Sequence, residues 1–356
     1  MKTENTGIRI KDIAKMSGVS AGTVDRVLHE RGEVSKKSKE KVEKVLKEIN
    51  YSPNLLARSL ASKKAYRFVC LTPAYQSKEY WESIDRGFDM AAADYFQYHI
   101  HLEKLYFDQY DVESFKSATN NILQTKPNAV IMAPFFTEET LDFTHQLTLL
   151  NIPFSFIDSM IEGVDFLTYY GQNSFQSGYL AAKLLVNLLP EKTKIAIISA
   201  KIIGSESNQT KARKAGFLNF IRENNFPENN LIQVEIASRD ENTNLEVMRN
   251  IFKTNENLRA IVAVDSKVYR IARYLEKLEI NGINLIGYDL LDENVKYLKN
   301  GFVSCLFAQR PEKQAYFSVR DICSKLILKQ DVNTINFVPI DVILKENIDD
   351  YLLFRE

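Results

Sequence analysis

A chain of 356 residues, 45% apolar and 26% charged, is too long for one small core and too balanced in composition to be disordered or fibrous. Its 46 Lys and Arg against 46 Asp and Glu leave a formal net charge of zero, but the charges are not evenly placed. Residues 1–64 hold 15 basic against 8 acidic side chains, net +7, and the rest hold 31 against 38, net −7, so a basic front suited to a polyanion precedes an acidic body.

The first periodic segment, residues 10–17, puts Ile10, Ile13 and Ala14 on one helical face and stops at Gly18, which suits a tight turn between crossing helices. A second helix is expected after a Ser20 cap. It would bury Val24, Val27 and Leu28 and present Ala21, Gly22, Thr23, Asp25 and Arg26 outward. A third runs from a Ser35 cap to about residue 50, with Val42, Val45, Leu46 and Ile49 at i, i+3, i+4, i+7 and lysines opposite. Three such helices form a helix-turn-helix whose second member would lay its N-terminal turn in a major groove. Lys36, Lys37, Arg26 and Arg58 are candidates for the salt-sensitive phosphate contacts.

The run Ile-Lys-Asp-Ile-Ala-Lys-Met-Ser-Gly-Val-Ser-Ala-Gly-Thr-Val-Asp-Arg-Val-Leu from Ile10, with Asn-Tyr-Ser-Pro-Asn from Asn50, resembles the lactose/galactose repressor (LacI) family. The resemblance implies an all-α helix-turn-helix head over residues 1–53 and a hinge over 54–64. It also implies a two-lobed α/β body like a type I periplasmic binding protein over 65–356. In that family the hinge folds on operator DNA and wedges a leucine into the minor groove. Asn54, Ala57, Arg58 and Leu60 match the hinge, with Leu60 at the wedge, which kinks DNA by unstacking a base step. The recognition helix departs from the family in offering only Ala21 and Gly22 where relatives present bulky or amide side chains. Asp25 replaces a common serine and either accepts from cytosine N4 or orients Arg26, the second being favoured because phosphates repel it.

Beyond residue 64, short apolar runs alternate with amphipathic segments, the pattern of parallel βαβ units. Strands are expected at 67–72, 101–106, 129–133, 154–157, 194–199, 232–236, 260–264, 284–288 and 303–307, with helices between them, among them 81–95, 111–123, 177–189, 211–224, 245–252, 268–278 and 312–328. About 290 residues suit two lobes. Crossovers are expected near 158–171, 307–310 and 329–337, giving a first lobe of about 65–160 plus 309–330 and a second of about 161–308 plus 331–356.

Ligands in such folds sit past the carboxyl ends of strands. Tyr80 and Trp81 follow the first strand's loop, Asp158 and Asp289 end strands, Arg213 precedes Gly216, and Gln309 lies at a crossover. Aromatic faces stack on pyranose C–H surfaces while carboxylates, amides and an arginine fork bind hydroxyls, so this mix suits a sugar. The resemblance points to the same positions. Where many relatives read Asn-Asp, this chain has Val264-Asp265, so the asparagine's hydrogen bonds are expected to be lost or shifted to Asp265. Structural alternatives are that Tyr80 and Trp81 only pack under a loop, that Asp265 caps the next helix, that Asp289 and Arg213 pair between lobes, and that Gln309 is a backbone-bonding linker residue.

Catalysis, cofactors and metals are not expected: the four histidines form no His-Glu-x-x-His, and Cys70, Cys305 and Cys323 have no Cys-x-x-Cys spacing and suit burial in a reducing cytoplasm. There is no Gly-x-Gly-x-x-Gly and no phosphate-binding Gly-x-x-x-x-Gly-Lys loop. No run of about 18 apolar residues and no signal stretch is present, which disfavours a membrane protein and an exported sugar-binding protein. The expected function is a cytoplasmic transcriptional regulator, with repression the expected mode. It would act as a homodimer on a pseudo-palindromic double-stranded operator, gated by a sugar-like effector between the lobes. A regulator controlled by a protein partner would need a poorly formed cleft. A phosphorylated or acidic sugar would use Arg213 and Lys267.

Overall fold

A computed structural model of the chain describes residues 10–28, 32–49, 64–190, 193–201, 207–237 and 240–354. It divides into two units, Met1–Lys63 and Lys64–Glu356.

The first unit contains α1 (Ile10–Ser17), α2 (Ala21–Leu28) and α3 (Lys36–Glu48). Gly18 turns the chain at φ +63°, a left-handed conformation that costs a side-chain-bearing residue energy. Ser20 opens α2 by accepting the Thr23 N–H at 3.1 Å, and Ser35 caps α3 through the Ser38 N–H. Ile13, Ala14, Val24, Val42 and Val45 form the buried core, with Val27, Leu28, Leu46 and Ile49 around it. The expected hinge, including Asn54, Ala57, Arg58 and Leu60, lies outside the described residues.

The second unit is built on two six-stranded sheets. The first holds β1 (Tyr66–Pro73), β2 (Ile100–Phe107), β3 (Ala129–Met132), β4 (Phe154–Asp158), β5 (Thr168–Gln172) and β11 (Ile335–Val338) in the order β11-β5-β4-β3-β1-β2, all parallel. The second holds β6 (Lys194–Lys201), β7 (Leu231–Ala237), β8 (Leu258–Ala263), β9 (Asn284–Tyr288), β10 (Cys305–Ala308) and β12 (Asp341–Ile343) in the order β12-β10-β9-β8-β6-β7. Only β12 runs antiparallel to its neighbour there.

Successive strand residues feed opposite faces, and helices cover both, which is why the strands read as continuous apolar runs. In the first lobe, Phe68 and Ile131 pack on Ile84 and Phe88 of α4 (Tyr80–Asp94) and on Val319 and Ile322 of α12 (Pro311–Leu326). Val69 and Met132 pack on Phe115 of α5 (Val112–Thr125) and Phe143 of α6 (Thr137–Leu149). In the second lobe, Ile198 and Ile261 meet Met248 of α9 (Glu241–Thr254) and Ile271 of α10 (Val268–Lys277), while Ile197 and Val262 meet Ala181 of α7 (Ser174–Leu188) and Phe217 of α8 (Asn208–Glu223). α11 (Asp292–Lys299) and α13 (Ile348–Leu353) complete this lobe.

The crossovers differ from expectation. β5 belongs to the first sheet, so the chain first crosses between Gln172 and Ser174, not within 158–171. β11 also joins that sheet, which moves the third crossing from 329–337 to between Val338 and Asp341. The first lobe therefore runs to Gln172 and takes back residues 311–338. The second crossing, between Ala308 and Pro311, overlaps the expected 307–310, and the other two lie just past the ends of their expected ranges. The three crossings meet at one buried side chain, whose Nε2, that of Gln172, donates to the Ala308 carbonyl at 3.0 Å and the Pro339 carbonyl at 3.5 Å.

Candidate functional site

On the first unit, Ser20, Ala21 and Gly22 are exposed at the start of α2 and Arg26 in its last turn, while Thr23 and Asp25 are half-buried. A Cβ at Gly22 would meet only the Ser20 hydroxyl, at 3.8 Å, so no protein packing demands glycine there. The expected recognition surface is a shallow, small-residue step beside one arginine.

In the second unit, the ends of β1, β3, β4, β6 and β8 converge on a cavity of about 130 Å³ between the lobes. Tyr80, Trp81, Asp158 and Asp265 line it, together with Gln209. Tyr80 and Trp81 start α4, set edge to face with centroids 5.2 Å apart, and both pack into the lobe core as well as lining the cavity. Asp158 and Asp289 end their strands in left-handed conformation, with φ 67° and 70°, which turns both carboxylates toward the interior.

A chain of amides links the two acids. Gln209 Nε2 donates to Asp158 Oδ1 at 3.0 Å and to Gln309 Oε1 at 2.8 Å, and Gln309 Nε2 donates to Asp289 Oδ1 at 2.7 Å. Gln314 braces this from α12, accepting the Asp158 N–H at 3.1 Å and donating to the Gln309 carbonyl at 2.8 Å. Gln309 is thus more than a linker.

Arg213 is 1% exposed, its guanidinium carbon 3.6 Å from the Tyr288 ring centroid, and its Nη1 donates to the Val264 carbonyl at 2.8 Å. Among the described residues, its Nε and Nη2 have no hydrogen-bond partner. Arg213 and Asp289 both belong to the second lobe, so the expected ion pair between lobes is not possible for them. Arg213 reaches this depth because α7 and α8 touch through glycines: a Cβ on Gly178 would strike the Arg213 carbonyl, and one on Gly216 the Phe175 carbonyl.

Burial pushes the Asp158 carboxyl up to about 6, against the pull of Tyr80 and Arg213 and with the push of Asp289. Burial, with Asp158 and Asp289 nearby, holds the Tyr80 hydroxyl well above its usual range.

Val264, where the resemblance implies an asparagine, is a buried core residue, 1% exposed, whose backbone carbonyl accepts from Arg213. The hydrogen bonds expected to pass to Asp265 are committed to the backbone: its oxygens accept the Ala200 N–H at 3.1 Å and the Lys267 N–H at 2.8 Å. Asp265 braces the rim ahead of α10. Lys267 does not face an anion site with Arg213; its Nζ pairs with Glu79 across the lobes at 2.7 Å. Burial alone would raise the Glu79 carboxyl, but Lys267, the Gln76 N–H and Arg270 outweigh it and hold it below its usual value. Gln209 was missed by sequence reasoning, and its only signal is its position one helical turn before Arg213.

Among the described residues, no cluster of three or more His, Cys, Asp or Glu could hold a metal, and no helix is long and apolar enough to cross a membrane. Burial raises all three cysteine thiols, Cys305 and Cys323 to about 12.

A sequence model of the periplasmic binding protein domain matches residues 69–329, and one of bacterial regulatory proteins, lacI family, matches residues 9–54. The chain is 37% identical over 91 residues to the HTH-type transcriptional regulator MalR of Streptococcus pneumoniae, covering 24% of this chain and 28% of that one. It is 33% identical over 140 residues to catabolite control protein A of Staphylococcus aureus, covering 39% and 41%. The match therefore spans less than half the length of either curated relative. A solved structure from Bacteroides fragilis, assigned to the LacI transcriptional regulators, is 35% identical with a TM-score of 0.77, covering 81% of this chain and 100% of that one. GanP, a glucose-galactose binding protein of Geobacillus stearothermophilus, shares the fold at 22% identity and a TM-score of 0.69, covering 80% and 99%. With its helix-turn-helix head and its two-lobed body matched together, the chain belongs to the LacI family of bacterial regulatory proteins.

Proposed function

We propose that this LacI-family regulator binds a sugar-like effector between its lobes and that the effector sets its affinity for operator DNA. The observation that carries the reading is Arg213. A buried guanidinium with two nitrogens lacking partners among the described residues costs about 1–3 kcal/mol for each unsatisfied donor, a cost that a bound acceptor would remove. A sugar hydroxyl accepts from arginine while donating to a carboxylate, and Asp158 lies close enough to Arg213 to feel its charge. Tyr80 and Trp81 supply the aromatic wall.

The rival reading of a protein partner without a small molecule needs a poorly formed cleft, and the linked amide chain argues against it. On the DNA side, Ser20, Ala21, Gly22, Thr23, Asp25 and Arg26 would meet the major groove. Asn54, Ala57, Arg58 and Leu60 would form the hinge in the minor groove. A cytoplasmic homodimer on a pseudo-palindrome follows as the working assembly. The lobe angle favoured by effector would align or misalign the two hinges and so decide release or retention.

Thermal melts against mono- and disaccharides, sugar acids and sugar phosphates test this, since a ligand at 100 times its dissociation constant adds about 2.7 kcal/mol. A shift with one sugar class supports the reading; no shift with any of them defeats it.

A further inference from the structure

Three contacts join the lobes at the lip of the cleft. The loop after β1 carries Lys78 and Glu79 of the first lobe, and the starts of α10 and α11 carry Lys267 and Asp292 of the second. Glu79 Oε1 accepts from Lys267 Nζ at 2.7 Å, with both side chains 29% exposed. Outside this pair, Lys78 Nζ stands 3.2 Å from Asp292 Oδ2, where open water leaves it little strength of its own. Next to Asp292, Leu291 of the second lobe packs against the core of the first, the cluster that holds Tyr80 and Trp81.

Local structure does not ask for these residues. Lys267 is the N-cap of α10, makes no side-chain cap hydrogen bond, and puts a cation at the positive end of a helix dipole, where serine or aspartate would serve the helix better. Lys78 is left-handed at φ 72°, a costly conformation for a lysine. Its loop is fastened from within: the Lys78 N–H donates to Glu82 at 2.7 Å and the Gln76 N–H to Glu79 Oε2 at 3.1 Å. One Glu79 oxygen is thus engaged by its own loop while the other is presented across the cleft.

The position also gives leverage. β1 lies three strands from β5, whose end is one of the crossings, so the pair acts about 14 Å across the sheet from that crossing. Glu79 is the N-cap of α4, directly before Tyr80 and Trp81, so its pull toward Lys267 sets how the aromatic wall stands against the second lobe.

We propose that Glu79 and Lys267, with Lys78 and Asp292 outside them, form an ionic clasp that holds the lips of the cleft together and positions Tyr80 and Trp81, so that opening of the cleft responds to ionic strength. The clasp goes beyond the sugar reading and holds whatever ligand the cleft takes.

Trp81 is the chain's one tryptophan, 8% exposed and lining the cavity between the lobes, so its fluorescence reads the lip without any ligand. Acrylamide quenching of the full chain tests the clasp in wild type, Glu79→Gln, Lys267→Met and the double variant. Glutamine keeps an oxygen for the Gln76 N–H, and methionine keeps most of the lysine stem. At low salt each single variant is expected to raise the quenching constant about twofold, and the double variant no further than the larger of the two. Raising potassium chloride from about 0.01 M, where charges act over about 30 Å, to about 1 M, where they act over about 3 Å, should bring wild type to the level of the variants and leave the variants unchanged. Wild-type quenching that ignores salt overturns the clasp. So do single variants quenched like wild type at low salt, or a double variant in which the two increases add. The salt response of wild type decides the matter even where a variant fails to fold.

Discussion

Asp158→Asn separates the cost of a buried charge from the architecture that buries it. The carboxyl is 8% exposed and its pKa rises from 3.8 to about 6, chiefly through burial. Folding thus favours its neutral form. Between pH 3.8 and 6 the unfolded chain releases this proton while the folded protein keeps it, so stability falls as pH rises through that window and levels off above it. At about 1.36 kcal/mol per unit, the difference above pH 6 is about 3 kcal/mol. An asparagine is never charged, tolerates the left-handed φ of 67° at least as well as aspartate, and its side-chain oxygen can still accept from Gln209. The variant should therefore lack this component of the pH slope, and above pH 6 should melt higher than wild type by about 6 °C or more, taking 2–4 °C per kcal/mol for a domain of this size. Melting curves without ligand, at half-unit steps from pH 4.5 to 7.5, measure this directly. Parallel slopes in the two proteins would refute the reasoning, because they would mean that Asp158 ionises in the fold as it does in water.

Gly22→Ala should stabilise the first unit by up to about 1 kcal/mol through helix propensity, since its Cβ has only the Ser20 hydroxyl near it; chemical denaturation followed by far-ultraviolet circular dichroism reads the gain. If backbone approach to a base pair is the reason for glycine, the same variant loses operator affinity in a gel-shift titration despite its greater stability. Gly178→Val should force α7 and α8 apart at the Arg213 carbonyl, destabilising by about 1–3 kcal/mol as overpacking does. It should also remove effector-induced thermal stabilisation, because Arg213 rides on that contact. Leu60→Ala should weaken operator binding and leave effector-induced stabilisation intact; an unchanged operator affinity would remove Leu60 from the wedge role.

The head was legible because its signals are local. Ser20 and Ser35 cap where serine is expected to cap, and Gly18 turns where only glycine turns cheaply. Most sheet strands were legible as apolar runs. β5 was not, since Thr-Tyr-Tyr-Gly-Gln looks polar, and β11 and β12 have only four and three residues, too few for periodicity to show. These missing strands displaced two of the three crossovers. At the cleft, Asp158, Asp289 and Gln309 could be found because strand ends mark them. The partners that join them could not: Gln209 reaches Gln309 across 100 residues of sequence, and Gln314 reaches Asp158 across 156. A glutamine carries no charge or spacing that would betray such a bond before the chain has folded.

The Gln172 amide constrains how such a molecule can move. Sliding one lobe along the other would part the Ala308 and Pro339 carbonyls from the same nitrogen, in a spot where 1% exposure leaves little room for water to replace either bond. Rotation about that nitrogen lengthens neither bond to first order. The body is in this sense a pair of shears with its pivot pinned, and whatever grips the blades is felt at the handles as an angle.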